Sequence, residues 1–205
     1  MKKLVLAAGI VALASLPSHG ASMSRTYTYF TIGGTTLEEI EGELKKRGPQ
    51  VGSAGSRHPG ATRMEFTTRV GYSESKGRCN VVEANVQVKA NMILPRWNRR
   101  KRASGETRFV WDTLSADIRR HEESHVVIAR NHARQMEQEL LNIRNEANCE
   151  VAQEKAAATT ARVLAAHDKA QDDFDRIEGI NFERRLMRLM DYRMERIESG
   201  KIPPS

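Results

Sequence analysis

The chain has 205 residues, with 33 Lys and Arg against 26 Asp and Glu and a formal net charge of +7. That length is enough for one domain and tight for two. A basic balance suits nucleic acid, but the N-terminus points to export and excludes that partner, so the charge fits anionic envelope polymers or headgroups instead.

Met1-Lys2-Lys3 opens a run that is apolar from Leu4 to about Leu16, followed by small residues with Ser18 and Gly20 at the −3 and −1 places of a cleavage site. A basic start, a short apolar run and a small-residue exit predict a signal peptide over residues 1–20. The run falls well short of the ~20 residues a spanning helix needs, so no transmembrane anchor is expected after its removal. The protein is therefore expected to be periplasmic or secreted. In an oxidising compartment the two cysteines, Cys79 and Cys149, most simply form a disulfide. It would close a loop of ~70 residues, worth roughly 4 kcal/mol at most in the chain-entropy treatment.

Residues 26–32, TYTYFTI, are rich in Thr and aromatics and read as a strand. Gly33-Gly34 turns the chain. Thr36 with Glu39 is a capping-box pattern, and Ile40 and Leu44 continue at helical spacing until Gly48-Pro49. Residues 50–61 carry Gly, Ser and Pro and read as a loop. Met64, Phe66, Val70 and Tyr72 fall on alternate positions, and so do Val82, Ala84, Val86, Val88, Ala90 and Met92. These predict two half-buried strands joined at the turn SESKGR, the second ending at Leu94-Pro95. The basic run Arg99 to Arg102 reads as a solvated loop. From about Thr107 the pattern is helical to the end, with one break at Asn145 to Cys149. The expected fold is α+β: a small antiparallel sheet with a short helix, then two long helices. It forms a single domain over 21–200, with a flexible tail at 201–205.

The first long helix contains HEESH, residues 121–125. Trp111, Leu114, Ile118 and Ile128 step by threes and fours, and the stripe they form passes through His121, His125 and His132. His121 and His125 are one turn apart, ~6 Å along the axis and ~40° in azimuth. Two imidazoles so placed can reach one ion. Glu122, to one side, can take a proton from a water on that ion, the division of labour of a zinc peptidase. Glu123 and Ser124 are expected on the outer face. His132 lies ~16 Å beyond His121 and reads as structural. A third ligand must come from the second helix, where a hairpin brings residues 169–173 opposite the motif. The candidates there are His167, Asp168, Asp172 and Asp175.

Several pieces resemble the family of secreted zinc-dependent proteases inferred from sequence and known as domain of unknown function 922. They are YTYFTI, KKRGP, GRC with its alternating strand, LPRW at 94–97, HEESH, Cys149, and Phe174-Asp175. The resemblance implies a zincin-like metalloprotease with zinc on His121 and His125, Glu122 as base, and a Cys79–Cys149 bridge. Family members tend to carry Thr-x-His-Gly after the aromatic-Asp pair. This chain has Arg176, Ile177, Glu178 and Gly179 there, with no His. Asp175 is therefore the first choice for the third ligand. The expected substrate is a peptide or protein of the cell envelope. The alternative is a non-catalytic envelope protein that binds a partner through a helical hairpin and a basic surface.

Overall fold

The computed structural model describes residues 21–51 and 57–204. The expected signal peptide lies outside the described residues, as does Ser205 of the tail. Strand β1 (Ser22–Ile32) is followed by helix α1 (Leu37–Arg47), strands β2 (Ala61–Ser75) and β3 (Arg78–Trp97), a 3-10 turn at residues 100–102, and helices α2 (Gly105–Leu141), α3 (Cys149–Ile180) and α4 (Phe182–Glu198). The fold is α+β, as expected. Thr36 caps α1 reciprocally with Glu39. No helix among the described residues is long and apolar enough to cross a membrane.

The sheet has the order β1-β3-β2 and is mixed, not wholly antiparallel. β2 and β3 form an antiparallel hairpin, while β1 runs parallel to β3. Alternation in a sequence reveals which face of a strand is buried and says nothing about the direction of its neighbour. The chain leaves β1, passes through α1 and β2, and returns in β3, a crossover long enough for parallel pairing. The hairpin turns at Lys76-Gly77, both with positive φ, the backbone of a tight turn that matches strand twist. β3 also runs past the expected stop at Pro95. By then β2 has ended, its last partner being Ile93, and a proline is tolerated where a strand lacks one neighbour.

Val82 is exposed although the alternation placed it with the buried residues; Val81 is buried in its place. A bulge explains the change of phase: Gly71 pairs with Glu83 and Tyr72 with Val81, leaving Val82 as the extra residue.

The alternating residues Ala84, Val86 and Val88 of β3 lie under the two long helices. Ala129, Ala133, Met136 and Leu140 of α2 meet them there, with Ala152, Ala156 and Val163 of α3. The alanines let the helices approach closely. Met136 and Leu140 are fully buried, and burial of each is worth about 1.5–3 kcal/mol. Where β1 stops short, the Val86 N–H donates instead to the buried carboxylate of Glu137, at 2.8 Å.

α2 and α3 form the expected hairpin. Asn145, with φ 60°, makes the bend, and the Asn148 side chain caps α3 at the Val151 N–H, 2.9 Å. The last helical region is two helices rather than one. At Asn181 the side-chain amide donates to the Ile177 carbonyl, 2.8 Å, and α4 begins at Phe182. It is fastened back to α2 by Arg185 on Asp117 and Arg193 on Asp112. Asn was too weak a stop signal to read in a charged helical sequence.

Cys79 and Cys149 are bonded, with Cα atoms 5.0 Å apart. The bridge ties the start of β3 to the first residue of α3, and Cys79 also exchanges both backbone hydrogen bonds with Glu146 at 3.0 and 2.9 Å. Replacing both cysteines by Ala should lower unfolding stability by about 2–4 kcal/mol. Urea unfolding reads this directly; an unchanged midpoint would show that the backbone bonds alone suffice.

Candidate metal centre

α2 is buried on two sides, and that sets the site. Its sheet side carries Ile118, Glu122 and Val126, all buried, against Met92 and Leu94 of β3. Its other side carries His121 and His125 against α3. Glu122 is therefore not set aside from the buried surface as the stripe suggested. It is 4% exposed, more deeply buried than His125. A single-stripe reading fails because this helix has two packed faces. Glu123 is not buried and accepts the exposed Tyr27 hydroxyl at 3.3 Å.

Asp175 Oδ1 lies 3.1 Å from His121 Nε2 and 3.0 Å from His125 Nε2. The two ring nitrogens are 3.1 Å apart. Among the described residues these three form the His/Asp group whose ligand atoms converge. Ligands of a tetrahedral ion with bonds of ~2.0–2.1 Å lie ~3.3 Å apart, so the donor set fits zinc closely. His167 and the acids Asp168 and Asp172 are not part of it.

The tautomers can be inferred from the other ring nitrogens. His125 Nδ1 faces Gln171 Oε1 at 2.6 Å, and His121 Nδ1 faces Glu178 Oε2 at 3.5 Å. Both partners accept, so each Nδ1 carries a proton and each ring, when neutral, turns an Nε2 lone pair inward; without a cation among them, protons on Nε2 bridge to Asp175 instead. Three lone-pair atoms that meet at one point repel unless a proton or cation lies among them. Phe174 completes the wall, stacked on His121 with ring centroids 5.0 Å apart and edge-on to His125 at 5.1 Å.

The charges respond accordingly. Burial alone would raise the Asp175 carboxyl, but hydrogen bonds from His121 and His125 outweigh it and hold it well below the usual range. Burial alone would lower the His125 imidazole, but Asp175 and Gln171 outweigh it and raise it. For Glu122, burial wins and pushes the carboxyl up, though the Thr62 hydroxyl and the two histidines oppose the rise. Thr62 Oγ1 donates to Glu122 Oε2 at 2.8 Å.

Gly60 explains how Glu122 fits. A Cβ on Gly60 would lie 2.7 Å from Glu122 Oε1 and 2.9 Å from an Ile118 methyl, so the loop can approach only as glycine.

Three residues escaped the sequence reading. Thr62 sits on a strand whose partner on α2 no periodicity reveals. Gln171 lies one helical turn before Asp175, a spacing that could have found it. Glu178, at the place where the resemblance expects the His segment, lines the same cleft as His121 and Asp175. That cleft of about 300 Å³ also takes in His58, Asp117 and Arg185. Glu178 is ion-paired to Arg120 and Arg185, and both arginines also bind buried Asp117. This network pins the end of α3 and the start of α4 to α2, one turn before the histidines.

His167 has a different task. Its Nδ1–H donates to Asp168 at 2.9 Å, and its Nε2 accepts from the Gln171 amide at 2.8 Å. The same amide also reaches the His125 carbonyl at 3.1 Å. His167 thus orients Gln171, which orients His125. His132, bonded to the Ile128 carbonyl at 2.9 Å, stands outside the cluster.

An α+β fold with a mixed three-stranded sheet and a convergent His–His–Asp group on a helical hairpin is thus the frame. The sequence profile of DUF922, described as a bacterial protein of unknown function, matches residues 27–183. The chain belongs to that family. No curated protein and no solved structure matches it.

His167 makes stability pH-dependent. Burial lowers its folded pKa, opposed by Asp168, so protonation favours the unfolded chain. Its contribution is complete above the unfolded value of ~6.5 and is lost as pH falls through the folded pKa. In metal-free protein, urea midpoints taken between pH 7.5 and 5 should fall less steeply for His167→Gln than for wild type. Equal slopes would remove His167 as the cause.

Proposed function

We propose that the protein is an exported zinc-dependent peptidase acting on peptides or proteins of the cell envelope, with zinc on His121, His125 and Asp175. The supporting observation is the convergence of three ligand atoms beside a buried carboxylate that belongs to none of them. Zinc bound there would supply Lewis acidity and lower the pKa of a water toward ~7.

The chain's own residues divide the remaining work. Asp175 and the two Nε2 atoms hold the ion, and Gln171 and Glu178 fix the imidazoles that present them. Glu122 acts as general base. Thr62 holds its Oε2, which leaves Oε1 to accept the proton and later deliver it to the departing amine. Burial makes this carboxylate more basic than one in water, which suits the role. Phe174 shields one side of the cluster from solvent. The disulfide supports export, because such bonds persist in oxidising compartments.

The buried Glu122 favours this reading over a non-catalytic binding protein. A carboxylate out of water is costly, and a structural ion site has no use for a second one beside its ligands.

The two kinds of residue should separate on mutation. His121→Ala, His125→Ala and Asp175→Ala should each lose zinc and activity together. Glu122→Gln keeps the Thr62 bond but cannot take the proton. It should retain near-stoichiometric zinc while cleavage of a casein or peptide-library substrate falls by about 10²-fold or more. Wild-type rates in Glu122→Gln would end its assignment as base.

A further inference from the structure

The cleft at His121 and Asp175 does not end there. It runs into a second cavity of about 570 Å³ between α1, α2 and α4. Pro59, Ile118 and Phe182 line both. Trp111 and Leu114 of α2 line the second cavity, with Leu37 and Ile40 of α1 and Leu186 of α4. Leu37 and Phe182 are 38% and 41% exposed. Such an apolar concavity left open to solvent marks a binding surface, and its size falls in the range of ligand sites.

We infer that this groove takes a bulky apolar side chain of a peptide substrate, next to the bond held at the metal cluster. The inference rests on the peptidase reading and adds the substrate class. Continuity decides the occupant. Ile118 precedes His121 by three residues, ~4.5 Å along the helix, and successive residues of an extended peptide are ~3.4 Å apart. A chain with one carbonyl at the cluster therefore places a side chain one or two residues away at the groove mouth. Pro59 stands at that junction, and the missing Cβ of the next residue, Gly60, lies closest to Glu122 and Ile118. The loop that admits the base thus also forms the lip of the groove. The walls offer a phenylalanine or leucine apolar surface on three helices.

The test uses zinc-loaded Glu122→Gln protein, so that binding is read without cleavage. Two fluorescent hexapeptides differ only by Phe or Ala at one position, scanned along the peptide, and anisotropy gives Kd. At the best position the Phe peptide should bind at least tenfold more tightly. Leu186→Lys and Phe182→Lys on α4, and Leu37→Lys on α1, are each made in the Glu122→Gln background. Each should cut that preference below threefold while zinc stoichiometry stays unchanged, which shows that the fold is retained. The inference is overturned if Phe and Ala peptides bind alike at every position. It is also overturned if the preference survives in all three variants, or if decanoate binds tightly while no Phe peptide does. Wild-type protein with zinc is then given the best Phe peptide. If that peptide binds with the expected preference and stays uncut, the groove stands and the peptidase reading falls.

Discussion

One carboxylate oxygen holds the structure's functional half together. Asp175 Oδ1 touches both imidazole nitrogens of the HEESH helix, at 3.1 and 3.0 Å. Three lone-pair atoms do not gather without cost. Much of the surrounding architecture can be understood as what keeps them together. The hairpin bend at Asn145 sets α3 antiparallel to α2, so that Asp175 comes level with residues 121–125. The disulfide anchors the start of α3 to β3. At the far end, the ion pairs among Asp117, Arg120, Glu178 and Arg185 prevent α3 from splaying away from α2.

The second constraint is that α2 has two buried faces. Were it packed on one side only, Glu122 would project to solvent, as free of burial as any surface carboxylate. Because the sheet covers that side, Glu122 is desolvated and held by Thr62, and its carboxyl is pushed up. The histidines, on the α3 side, are tuned by different partners. Base and ligands are thus neighbours that sense each other's charge but pack against different elements. A single helix between a sheet and a hairpin partner is a simple way to obtain this.

Much of this could be read from residues alone. The capping box at Thr36 and Glu39, the two alternating strands, the hairpin turn and the helical break before Cys149 are local signals, and each lies where its chemistry requires. The His121–His125 pair is local too. What sequence periodicity missed was nonlocal. Parallel pairing of β1 depends on where a returning strand docks. The burial of Glu122 depends on a strand sixty residues away in the chain, since its partner is Thr62. The exposure of Val82 comes from a bulge, which alternation cannot show. The break at Asn181 has no Pro, and its one local signal, Gly179, lies two residues earlier within α3. Among four acidic and imidazole candidates on α3, helical register alone left the choice open, and the aromatic-Asp pair of the family resemblance singled out Asp175.

The most direct measurement is anomalous X-ray diffraction at the zinc edge from crystals of protein purified without chelator. A single peak about 2.0–2.2 Å from His121 Nε2, His125 Nε2 and an Asp175 oxygen, with Glu122 outside bonding distance, is the expected result. A fully ordered site with no peak after incubation with zinc would contradict the proposed centre. So would a peak ligated by Glu122 in place of Asp175.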